Sequence, residues 1–66
     1  MTIRLNGETR TFEDVRTIAD LVSHLDLPAA TLLVEHNGSA LRPAEWDGAG
    51  LTEGDQIEVL RIAAGG

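Results

Sequence analysis

Sixty-six residues make one domain and leave no room for a second. Cysteine is absent, which excludes a disulfide framework, a thiolate metal site and a cysteine nucleophile together. Eleven acidic residues face five basic ones, all arginine, and the net charge of −6 has the wrong sign for gripping nucleic-acid phosphates or an anionic membrane surface.

Ile3 and Leu5 alternate with Thr2 and Arg4, the period-two pattern of a half-buried strand. Asn6-Gly7 follows, a pair suited to a two-residue hairpin turn because both of its central positions need positive φ. Glu8 to Phe12 holds Thr9, Thr11 and Phe12, which suit a pleated surface, so a second strand is expected to return there. Thr17-Ile18-Ala19-Asp20 has the form of a helix start, with a hydroxyl to accept an orphan amide and an acid in the first turn. Ile18, Leu21, Val22 and Leu25 then recur at i, i+3, i+4 and i+7, one apolar stripe. Pro28 cannot continue that helix, which is expected to end near Leu25 or Asp26.

Leu32-Leu33-Val34 enters a second Asn-Gly turn at Asn37-Gly38, with Ser39 to Leu41 as a short return strand. Arg42 to Gly50 reads as a loop with one helical turn around Trp46, the single tryptophan. Glu53-Gly54-Asp55 marks another tight turn. Gln56 to Ile62 alternates Ile57 and Val59 with Glu58 and Leu60, a last strand apolar enough to sit inside a sheet. The class is therefore α+β: a mixed sheet of four to five strands with one main helix packed on one face. The first and last strands are expected side by side and parallel. Residues 1–62 form the domain, and 63–66 a flexible C-terminal Gly-Gly tail.

Catalytic constellations are not apparent. His24 and His36 lack a second nitrogen or sulfur donor at ligand spacing and read as ordinary surface or edge residues. Ser23 and Ser39 have no neighbouring histidine and acid in a recognisable arrangement. The acidic residues are dispersed, the pattern of a solvated face. Trp46 reads either as a binding hot spot or, preferably, as the bulk that folds its loop onto a thin core. With no run near the ~18–20 apolar residues of a membrane span and no secretory signal pattern, a cytoplasmic protein with no membrane or nucleic-acid partner is expected.

What remains is Ala63-Ala64-Gly65-Gly66. Four extended residues reach ~13 Å, enough to carry a terminal carboxylate into another protein's active site. Gly65 and Gly66 have no Cβ and can thread a narrow channel. The carboxylate is ionised at neutral pH and nucleophilic toward the α-phosphate of ATP.

The order hairpin, helix, short strands, final strand and Gly65-Gly66 resembles the ubiquitin-like β-grasp sulfur carriers, the ThiS/MoaD group. Its residues are Ile3-x-Leu5-Asn6-Gly7-Glu8, Thr17-Ile18-Ala19-Asp20-Leu21, Val34-Glu35-x-Asn37-Gly38, Arg42 with Trp46, Leu51, Gly54-Asp55-x-Ile57-Glu58 and Gly65-Gly66. Ile62-Ala63-Ala64 lacks the proline common before the Gly-Gly of molybdopterin-type carriers, so the thiamine-biosynthesis branch is the nearer one. Arg42-Pro43 departs from the Pro-Arg order associated with that branch.

The resemblance implies a carrier, not an enzyme, with no stably bound cofactor and no catalytic or metal residues of its own. A ThiF-like adenylyltransferase would use ATP to adenylate Gly66, and a cysteine desulfurase or rhodanese-type donor would supply sulfur. A ThiG-like thiazole synthase would then take up the tail, with Gly65, Ala64 and Ala63 as the threading arm. A monomer is expected when the carrier is free. A passive β-grasp binding module, in which the tail plays no part, is one alternative, and two others stay open. One is a ubiquitin-like modifier conjugated through Gly66; the chain's lack of lysine leaves it no side chain for isopeptide-linked chains. The other is a carrier for molybdopterin, cysteine, tRNA thiolation or a secondary metabolite.

Overall fold

The computed structural model of the chain describes residues 1–62; residues 63–66, where the tail is expected, lie outside the described part. Strands β1 (Thr2–Leu5) and β2 (Glu8–Thr11) form the first hairpin. Its turn has Asn6 at φ 50° and Gly7 at φ 82°, the left-handed pair that matches the twist of the flanking strands. Strand β2 stops one residue short of expectation. Phe12 donates its amide to the Met1 carbonyl at 2.9 Å and turns half-buried against the core.

Helix α1 (Ile18–Leu25) starts on a capping box. The Thr17 hydroxyl accepts the Asp20 amide at 3.1 Å, and the Asp20 carboxylate accepts the Thr17 amide at 3.1 Å and the Arg16 amide at 2.9 Å. The amides of Asp20 and Thr17 at the helix start are satisfied in this way, and that of Arg16 just before it as well. Ile18, Leu21 and Val22 are the buried face, as the stripe predicts. The helix closes on Asp26 in a left-handed conformation (φ 55°, ψ 42°), before Pro28 blocks continuation.

A 3₁₀ turn (Ala29–Thr31) leads into β3 (Leu32–His36), which pairs with β4 (Ser39–Leu41) across the Asn37-Gly38 turn. A second 3₁₀ segment (Pro43–Gly48) carries Trp46, and β5 (Gln56–Arg61) ends the described fold one residue earlier than expected. The strand order is β2-β1-β5-β3-β4. Strand β5 runs parallel to β1 and antiparallel to β3, so the last strand sits at the centre of the sheet. This is the α+β, β-grasp arrangement, with five strands and one main helix on one face.

The core lies between α1 and the inner sheet face, where Ile3, Leu5, Val34, Ile57 and Val59 meet Ile18 and Leu21. Trp46 is buried, its indole N–H donating to the Leu41 carbonyl at 3.4 Å, so it packs its loop down as the preferred reading holds. Val15 is also buried, although no periodic pattern marks it. It is pulled in because the segment before α1 is stitched to the one before β5. Ile18 donates to the Ala49 carbonyl at 2.9 Å, and Leu51 donates to the Arg16 carbonyl at 2.8 Å.

Candidate functional site

The expected reactive residues, Gly66 and the arm Gly65, Ala64 and Ala63, lie outside the described residues. What the structure supplies is the platform from which that segment departs. Ile57 and Val59 anchor β5 on the inner face, and both neighbouring strands hydrogen-bond to it. At its end the Ile62 amide donates to the Thr31 carbonyl at 2.6 Å, which fixes the last described residue beside the start of β3.

Two hairpin asparagines reinforce this strand, a role that turn propensity alone did not reveal. The Asn6 side chain works like an added residue of β1: its Oδ1 accepts the Val59 amide at 2.8 Å, and its Nδ2 donates to the Val59 carbonyl at 3.2 Å. Asn37 does the equivalent from the other hairpin. Its Oδ1 accepts the Gln56 amide at 2.8 Å, and its Nδ2 donates to Asp55 at 3.1 Å. Each Asn-Gly turn thus grips β5 as well as reversing the chain. The signal was available in principle, because asparagine can pair with both a backbone N–H and a C=O.

Asp55 and His36 depart from expectation. His36 is half-buried, not an ordinary edge residue, and its Nε2 lies 2.7 Å from Asp55 Oδ2. The same carboxylate oxygen accepts the Thr52 amide at 2.9 Å. Desolvation by burial opposes the charge on Asp55. The bonds from His36, the Thr52 amide and Asn37 outweigh it and hold the carboxyl below the usual carboxylate range. Because the folded state binds this proton less readily than the unfolded chain, the stabilisation is complete above the unfolded value of about 3.9 and is lost as pH falls through the lower folded one. Asp55→Asn is therefore expected to flatten the acid limb of stability below about pH 4, read from urea midpoints across that range. The slope that remains includes that of Asp20. Its carboxyl is lowered mainly by the Arg16 amide against the opposing effect of burial. An unchanged acid limb in the variant would refute the account of Asp55.

The outer face of the sheet is uncovered by the described residues. Leu33 and Leu60 are cross-strand partners there, and Leu60 is 50% exposed. Ile62, at the end of the described residues, is 54% exposed, and among those residues these two are the large hydrophobic ones left open to solvent. Next to them Glu35 stands directly opposite Glu58, a like-charge pair that opposes strand association when unshielded. Among the described residues neither glutamate forms an ion pair. No three acidic or histidine side chains among the described residues are placed to hold a metal ion. No helix among them is long and apolar enough to cross a membrane.

The model of the ThiS family matches residues 3–66. No curated protein matches the chain. Among solved structures, the crystal structure of the thiamine biosynthesis protein ThiS from Geobacter metallireducens is similar over 100% of both chains, with a TM-score of 0.82 and 29% identity. An NMR solution structure of a thiamine biosynthesis protein from the same organism is similar at TM-score 0.79 and 29% identity, over 100% of this chain and 88% of that one. A match that runs from the first strand through Gly65-Gly66, on a fold similar to that of a ThiS protein over its whole length, places this chain in the ThiS family.

Proposed function

We propose that this chain is a sulfur carrier whose Gly66 carboxylate is adenylated and then converted to a thiocarboxylate, with thiazole formation in thiamine biosynthesis as the destination of the sulfur. The observation that carries the reading is the family match extending through residue 66, so that it includes the Gly-Gly pair. Support for the pathway comes from the two thiamine biosynthesis proteins that share the fold.

The chemistry asks little of the carrier. A carboxylate oxygen of Gly66 attacks the α-phosphorus of ATP and expels pyrophosphate, giving an acyl-adenylate. Sulfide-level sulfur then attacks the activated carbonyl carbon and AMP leaves with the former carboxylate oxygen, so one oxygen is exchanged for one sulfur. ATP is bound by the activating partner, a ThiF-like adenylyltransferase, and the thiocarboxylate is consumed by a ThiG-like synthase. The carrier contributes placement. Strand β5 holds the departure point rigidly, and Leu33, Leu60 and Ile62 offer an apolar seat beside it for an enzyme that must engage the tail.

Intact mass of the protein after incubation with ATP, a ThiF-like enzyme and sulfide tests the reading. Replacement of one oxygen by sulfur at the C-terminus is expected. A mass unchanged under an activating enzyme proven on another carrier overturns it, and adducts to lysine of other proteins that vanish without Gly66 would assign a modifier in its place.

A further inference from the structure

On the side of the molecule away from the open sheet face, α1 and the second 3₁₀ segment flank a groove of about 430 Å³. Leu27, Ala29 and Pro43 supply the open part of its apolar wall, and the buried Val22 and Trp46 lie beneath it. The charged residues that line it are Asp26 and Asp47, both exposed, and neither forms an ion pair among the described residues.

Asp26 is a less favourable helix end than glycine or asparagine. It occupies the left-handed position that closes a helix, where glycine or asparagine is the unstrained choice. It also sets a carboxylate at the negative end of the helix, beside carbonyls that have no intrahelical partner. Neither feature helps α1 to form, and asparagine would relieve both. The exposed carboxylate of Asp26 is thus left free of any folding partner among the described residues at the end of α1. Asp47 doubles the negative charge across the groove, and the chain's net charge of −6 adds a field that draws cations toward it.

We propose that this groove is a docking site for a protein segment presenting an apolar side chain flanked by arginine or lysine. The apolar group would rest against Leu27, Ala29 and Pro43, above the buried Val22 and Trp46, and the cations would meet Asp26 and Asp47. This surface is separate from the open sheet face, and the inference does not depend on sulfur chemistry.

The test is a titration of the ¹⁵N-labelled full chain with N-acetyl-Arg-Leu-Arg-amide at low ionic strength. Trp46 provides the chain's one indole N–H signal. Saturable shifts at Trp46, Val22 and Leu27 are expected, with binding weakened at least about tenfold in the Asp26→Asn, Asp47→Asn double variant. Asparagine tolerates the left-handed position, so the variant keeps its helix end. N-acetyl-Gln-Leu-Gln-amide on the unaltered protein makes the same comparison without any substitution and is expected not to saturate. Shifts confined to Leu33 and Leu60, affinity indifferent to the two aspartates, equal binding of the glutamine peptide, or no saturable shift would each overturn the proposal.

Discussion

A chain shortened to end at Gly65 is expected to lose sulfur loading by at least about a hundredfold while its urea transition stays where it was. One extended residue spans about 3.3–3.6 Å, so removing Gly66 withdraws the carboxylate by that length. A reacting atom must come within about 3–3.5 Å of its target, and a misplacement of even about 1 Å can cost some 10²-fold. The new terminal carboxylate has the same chemistry and differs in position alone. Loading measured by intact mass against the full chain, with one preparation of ThiF-like enzyme, separates the two. Equal loading of the shortened chain would show that reach is not what the tail supplies. Stability should not respond, since the last described backbone tie is made by Ile62.

The second large effect concerns the fold. Leu21 is fully buried at the centre of the α1 stripe. Replacing such a leucine by alanine costs about 3–5 kcal/mol, from lost transfer free energy and the cavity left behind. A single-core domain of this size commands only about 3–5 kcal/mol in total. Leu21→Ala is therefore expected to leave a large fraction of the chain unfolded in buffer, with little or no cooperative urea transition. Leu21→Met, which nearly conserves volume, is expected to cost under about 1.5 kcal/mol and to keep the transition. A well-defined transition in the alanine variant, close to that of the parent, would mean that the core around the helix collapses to fill the space.

The five strands and the helix were legible because each rests on a local device. Asn6-Gly7 and Asn37-Gly38 need left-handed backbone, and the structure gives both pairs positive φ. Thr17 and Asp20 cap reciprocally, and Ile18, Leu21 and Val22 repeat at the helical period. The inner position of β5 followed from its apolar alternation, and its pairing with β1 and β3 matches that reading. What stayed hidden depends on residues far apart in the chain. Val15 is buried because Arg16 and Ile18 bond to the segment before β5, which no window around Val15 contains. His36 and Asp55 are 19 positions apart, and only the pairing of β3 with β5 brings them together. The apolar outer position of Leu60 was visible as a strand residue, but its exposure depends on nothing covering that face. The candidate chemical site, by contrast, was legible only as a terminal pattern and through resemblance, and the described residues bear on its support alone.

The parallel pairing of β1 with β5 has a mechanical consequence. Their directions place the start of β1 and the end of β5 at opposite ends of the sheet. Tension applied along the chain beyond Ile62 and resisted at the N-terminus would slide these strands past each other, loading their hydrogen bonds together in shear, where a hairpin pulled at its open end would unzip one bond at a time. The Asn6 clamp on Val59 lies in the same line of load and adds two more bonds to it. Resistance to such a pull is a matter of the unfolding rate rather than of equilibrium stability. A thin core therefore does not by itself decide how the domain answers a pull on its end.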